Sequence, residues 1–99
     1  MTPHSFHPAA LAEYQAAALW YGLDGGRRFA DLVDRSVDEI CALPLAWPAW
    51  RGRADVRRRV LKRFPFSVLY MAEPAHVLIM AIAHHKRRPG YWVARLRGR

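Results

Sequence analysis

The hydrophobic and polar positions of this chain change rhythm near residue 44. Before it, apolar residues recur at helical spacing; after it, they alternate or run together. "HSF" (4–6) is a short polar–apolar alternation and reads as a strand. "PAALAEYQAAALWYG" (8–22) reads as a helix. Pro8 suits a first turn, where its missing N–H costs nothing, the stretch is rich in alanine, and Gly22 is a good stop. Leu11, Tyr14, Ala18 and Tyr21 follow 3–4 spacing and predict its buried face. "LDGG" (23–26) reads as a turn. A second helix is predicted over 27–43, with Phe29, Leu32, Val33, Val37, Ile40 and Leu43 on the core side and Pro44 ending it. Two helices joined by a short turn predict an antiparallel hairpin.

Beyond residue 44 the Pro- and Trp-rich "PLAWPAWRGRAD" (44–55) reads as irregular. "VRRRVLKRF" (56–64) reads as a strand with Val56 and Val60 alternating. "FSVLYMA" (66–72) is a second, and "EPA" (73–75) a tight turn. "HVLIMAIAH" (76–84) is almost continuously apolar, as a central strand buried on both faces should be. Helices followed by strands on short turns predict an α+β fold. The expectation is one domain over 1–99, with the helical hairpin packed on one face of a mostly antiparallel sheet of about four strands, the N-terminal strand included.

Composition supports a globular chain: 53% of the 99 residues are hydrophobic. The one cysteine, Cys41, excludes an internal disulfide and fits a reducing setting, with the thiol as a small buried hydrophobe. A lone cysteine and scattered histidines offer no metal set, and no cofactor is expected. The start "MTPHSFHPAA" has neither a basic segment nor an apolar core, and the run 76–83 is far short of the roughly 20 residues a bilayer needs. No membrane association and a cytoplasmic location are therefore expected. Charge changes the picture more. Residues 1–50 carry three arginines against six acids; residues 51–99 carry thirteen cations against two. Fourteen of the sixteen cations are arginine, which reflects a compositional bias, but that bias does not explain the clustering. A one-sided positive charge points to a polyanionic target or an acidic protein partner.

The chemistry concentrates in "AIAHHKRRPGYW" (81–92), where His84, His85, Arg87, Arg88 and Tyr91 lie within eight positions at a strand end. Cutting a phosphodiester without metal needs a base, cations for the developing charge and an acid for the leaving oxygen. These side chains can supply such roles. They can equally grip an acidic partner, or be the solvated end of a strand. Alternation sends the two histidine rings to opposite faces, so one of them at most serves a given site. Elsewhere plainer readings prevail. His76 belongs to a turn, and His4 and His7 to a strand and a cap. The four tryptophans read as packing residues. "RRRVLKR" is a solvated strand face or a cationic groove for an acidic segment or a nucleic acid.

Four stretches together resemble the RelE/ParE superfamily of bacterial toxins from type II toxin–antitoxin modules. "HPAALAEYQAAALWY" is similar to the family's first helix, and "GRRFADLVDRSVDEICALP" to its second. "RFPFSVLY" is similar to a core strand, and "AIAHHKRRPGYW" to the last central strand and its tail. They stand in family order and cover nearly the whole chain.

The resemblance implies a toxin that arrests growth when free of its cognate antitoxin, with which it forms a hetero-oligomer. It also implies one of two activities, of which a ribosome-dependent mRNA endonuclease is the expectation and gyrase inhibition the alternative. RelE-like members cut messenger RNA in the ribosome; ParE-like members inhibit DNA gyrase and cut nothing. On the first reading, an RNA endonuclease, His85 is the acid or base, Arg87 and Arg88 hold the phosphate, and Tyr91 falls where the catalytic tyrosine of RelE-like enzymes stands. His84, Arg57, Arg59 and Arg95 are the further candidates for binding RNA or another target. Ser67 falls where those enzymes keep a mid-strand arginine, and a serine cannot hold phosphate charge as a guanidinium does. Nor does an arginine make a good general base, its pKa lying above ~12. On the second reading, inhibition of gyrase or an inactive relative, the same cations only make contacts.

Overall fold

A computed structural model describes residues 1–98 of the protein. Strand β1 (His4–Phe6) leads into helix α1 (Pro8–Trp20) and helix α2 (Gly22–Ala42). Strands β2 (Arg57–Val60), β3 (Phe66–Glu73) and β4 (His76–His84) follow, and a 3-10 segment, Val93–Gly98, closes the described chain. The sheet order is β1-β4-β3-β2. β4 runs antiparallel to β3 and β3 to β2, while β1 lies parallel to β4. The fold is the expected α+β arrangement, two helices on a four-stranded mixed sheet.

The predicted turn at 23–26 does not form; those residues are the first turns of α2. The chain reverses instead at Tyr21–Gly22, where Gly22 takes a positive φ of 79°. Gly26 serves contact rather than flexibility: a Cβ there would stand 2.3 Å from the Ala18 carbonyl oxygen of α1. Only a bare Cα lets the helices approach this closely. The Tyr14 hydroxyl reaches the Ala30 carbonyl and Asp34 of α2. Contacts of 18 with 26 and of 14 with 30 run in opposite directions, so the helices are antiparallel.

The stripe of α1 facing the sheet is built on the small residues Ala10 and Ala17, with Tyr14, Ala18 and Tyr21 beside them, and Leu11 is exposed. α2 buries Phe29, Val33, Val37, Ile40 and Cys41 as its period predicts, but Leu43 stays in solvent. The helices cover Phe66, Val68, Tyr70, Val77, Ile79 and Ile82 on one face of the sheet.

β2 is shorter than 56–64. Arg63 takes a left-handed φ of 71°, and with Pro65 it makes residues 61–65 a bend. Val56 is buried, whereas Val60 lies exposed at the sheet edge. The other face of the sheet carries a second core: Val56, Leu69, Met80 and Ala81 under Trp92 of the tail. A β-bulge makes this possible. Leu69 pairs with Ala81 and Tyr70 with Ile79, so Met80 is the extra residue and both Met80 and Ala81 join that face.

Candidate functional site

The tail folds back over the sheet face away from the helices and leaves a cleft of about 290 Å³ beside Trp92. Its lining includes Trp50, Arg51, Arg58, Ser67, His84, His85, Arg87, Arg88 and Tyr91. Four arginines and the His85 ring meet there, and its lining holds no carboxylate. The strand period explains the gathering. Arg58 and Ser67 occupy outward positions of neighbouring strands, and His85 follows the end of β4, its backbone N–H donating to the Pro65 carbonyl.

At the floor, Arg58 Nε donates to Ser67 Oγ at 3.0 Å, and Ser67 Oγ lies 2.9 Å from His85 Nε2. Desolvation of the ring's inner edge, then the Arg58 cation, hold His85 below the ordinary histidine value. The lowered pKa favours the neutral ring near pH 7, and its Nε2 shares a hydrogen bond with Ser67 Oγ, which also accepts from Arg58. A serine beside a histidine base suggests a nucleophile. Here the serine is 2% exposed and beyond the reach of an attacking geometry.

Tyr91 lies on the border of the cleft, with its hydroxyl turned elsewhere. That hydroxyl donates to Oε2 of Glu13, on α1. Arg95 closes the arrangement with bonds to both Glu13 oxygens, at 2.9 and 2.8 Å, and a third to the Met80 carbonyl at 2.9 Å. Glu13 Oε1 also accepts the Ile82 N–H at 3.1 Å. β1 pairs with β4 only as far as Ile79. Beyond it, Glu13 and Arg95 satisfy the β4 backbone groups that a longer strand would have paired. Burial opposes the charged form of Glu13, but the bonds from Arg95, Tyr91 and Ile82 outweigh it and hold the carboxyl below its usual range. Burial and the Glu13 carboxylate push the Tyr91 phenol well above the usual tyrosine value.

The remaining sequence candidates divide. Arg87 lies in the cleft with its guanidinium 3.8 Å from the Tyr91 ring centre. Arg88 lines the cleft and is exposed. The His84 ring packs edge-on against Phe66 and accepts the Lys86 N–H, on the face opposite His85, as alternation requires. Arg57 and Arg59 point to the helix side: Arg57 bonds the Leu45 and Trp47 carbonyls, and Arg59 pairs with Glu39 over the Trp47 ring. Arg95 is held by Glu13, so neither it nor the 57/59 pair joins His85. His7 caps α1 through its Nδ1, and His76 sits between Ser5 and Glu73.

Sequence reasoning missed Arg51, Arg58 and Glu13. Glu13 left one signal, as the single charged residue of α1. Arg58 left none to set it apart from Arg57 and Arg59. Among the described residues no cluster of histidine, cysteine or carboxylate fit for a metal ion occurs, and no helix is long and apolar enough to cross a membrane.

Residues 5–89 match the family described as the ParE toxin of the type II toxin–antitoxin system, parDE. A chain of the chromosomal ParDE system from P. aeruginosa is similar in fold, with a TM-score of 0.61 and 21% identity over 85% of this chain and 96% of that one. The isolated RelE toxin of E. coli is also similar, with a TM-score of 0.68 and 17% identity over the full length of both chains. No curated protein sequence matches the chain.

Proposed function

The chain belongs to the ParE toxin family of type II toxin–antitoxin systems, and from that premise we propose that it arrests growth by binding its target and not by cutting it, as a ParE-like inhibitor of DNA gyrase. A cognate antitoxin, the partner implied by the family, keeps it inactive in the cytoplasm until released. The observation that carries this reading is the engagement of the Tyr91 hydroxyl by Glu13. A phenol committed to a carboxylate, with its pKa raised, neither gives its proton readily nor serves as a base near neutral pH. Ser67 supplies no charge at mid-strand, and Arg57 and Arg59 are bonded on the opposite face. What the cleft offers is cationic contact with a single neutral imidazole. That suits recognition better than the paired proton transfers RNA cleavage requires.

The test uses purified toxin, gyrase, ATP and supercoiled DNA. Toxin-dependent accumulation of gyrase-linked broken DNA is expected, with translated transcripts intact when the toxin is expressed. Cuts inside codons of ribosome-bound transcripts, lost in His85→Ala, would overturn the reading and favour the endonuclease.

A further inference from the structure

We infer that the outer face of α1 is where two copies of this chain associate, their helices crossing antiparallel. The inference goes beyond the reading above and does not rest on it.

Three observations carry it. First, α1 is apolar on the side that faces solvent as well as on the side that faces the sheet. Leu11, Ala12, Gln15, Ala16, Leu19 and Trp20 are exposed. Glu13, the one charged residue of the helix, is turned to Tyr91 and Arg95. A helix that is apolar all round belongs in an interior. Yet Leu19 is 82% exposed, Trp20 85% and Leu23, just beyond the reversal, 89%. The solvent side of α2 has the ordinary pattern, with Asp24, Arg27, Arg28, Asp31, Arg35 and Asp38 all exposed and charged. Water thus meets charge on one helix and leucine and tryptophan on its neighbour. A contiguous apolar patch of that kind marks an interaction surface.

Second, the absence of charge on this face selects its occupant. The chain carries a net charge of +8. An acidic partner is drawn to the cationic cleft, on the far side of the sheet, and gains no electrostatic attraction at α1. A second copy is repelled from the cleft side but meets no like charge at α1. Joining there keeps the two cationic clefts on opposite sides of the pair, where salt screens them from each other.

Third, side-chain size along the helix is complementary to itself. The first half offers Ala9, Ala12 and Ala16, and the end offers Leu19 and Trp20. In a two-fold pair crossing antiparallel near Ala16, the bulky end of each helix falls on the small half of the other, with Trp20 over Ala12. A parallel pair would set Trp20 on Trp20 and hold the alanines apart. The patch offers roughly 500 Å² of apolar surface, within the ~300–600 Å² that the largest patch on a monomer reaches. Two copies would bury roughly 1,000 Å² in all, the lower bound for a specific interface. A reversible dimer follows, with a Kd on the order of 10 µM.

The test is sedimentation velocity of the full chain, purified free of any partner, from about 1 to about 200 µM. The average mass should climb from one chain towards two. Raising salt from about 0.1 to about 0.5 M screens the net positive charge and should leave association equal or tighter. Trp20→Glu should weaken it at least tenfold, by placing an unpaired charge in the contact. Arg35→Gln, which changes net charge by the same one unit on the α2 face, should alter Kd less than twofold. Ala12→Trp makes the face more apolar still, yet it should also weaken the dimer at least tenfold, because the new ring collides with Trp20 of the second copy. Circular dichroism melts at about 1 µM, below the Kd, verify that every variant folds. A single-chain mass at every concentration would overturn the inference and leave the patch to a different partner. So would association lost at high salt, or equal losses in Trp20→Glu and Arg35→Gln. Tighter association of Ala12→Trp would reduce the contact to unspecific adhesion and overturn it as well.

Discussion

The Tyr91 hydroxyl donates a hydrogen bond to the Glu13 carboxylate across 78 positions of sequence. The bond joins the tail to the first helix. With Arg95 it also closes the edge of β4 that β1 leaves open. Removing the hydroxyl should therefore act on the fold. Tyr91→Phe leaves a partly buried carboxylate short of a donor and should cost about 2 kcal/mol. For a domain of this size that lowers the melting temperature by about 10 °C. Calorimetry checks it; a melt unchanged within 2 °C would show the bond to be idle.

The same carboxylate predicts the acid limb of stability. Its folded pKa lies below the unfolded value, so its contribution is complete above about pH 4.3 and is lost as pH falls through the folded value. Glu13→Gln should be less stable than the parent at pH 7 by about 3 kcal/mol, since it leaves Arg95 without its partner. The gap should close towards pH 3. Melting curves from pH 7 to pH 3 decide it, and a gap independent of pH would refute the assignment.

Arg58 should set the titration of His85. Desolvation lowers the ring's pKa first and the Arg58 charge second, so Arg58→Ala should move the midpoint upwards while the parent titrates below 6.5. Histidine ring protons followed by NMR from pH 4 to pH 8 give both midpoints. A downward or absent shift on Arg58→Ala would mean that the two groups do not interact as placed.

Gly26→Ala should part the helices. The added methyl would lie 2.3 Å from a backbone oxygen that no rotamer change can move away. The expected cost is about 3 kcal/mol, at the upper end of overpacking effects. Gly25→Ala, whose methyl would meet only the Tyr21 Cβ at 3.2 Å, should cost far less. Denaturant titration of the two variants checks the difference.

Trp20 and Trp92 should respond oppositely to truncation. Trp92 is 2% exposed under the tail and Trp20 85% exposed at the end of α1. Trp92→Ala should cost about 4 kcal/mol, and Trp20→Ala within about 0.5 kcal/mol. Equal losses would place Trp20 in a contact the isolated chain does not show.

Sequence periodicity found both helices, the strands and their order, because each pattern reports a local surface seeking burial. It failed at 23–26 because two glycines suit a turn and a close helix contact equally, and only Ala18 decides between them. It overestimated Leu11 and Leu43 because 3–4 spacing defines a stripe without saying how wide the covering sheet is. The site was legible as a place. His84 and His85 do take opposite faces, and Arg87, Arg88 and Tyr91 do border one cleft.

What the amino-acid sequence determined by itself is the alternation of elements, the asymmetry of charge and the family likeness, all properties of neighbours along the chain. Which arginines are free was decided only in three dimensions. Arg57, Arg58 and Arg59 are indistinguishable in sequence, yet the pleat turns Arg58 to the cleft and the other two to the carbonyls and acid beneath α2. The partner of Tyr91 was decided likewise: its hydroxyl donates to Glu13 of α1, 78 positions away, because the folded tail brings the phenol to a partly buried carboxylate that no local pattern announces.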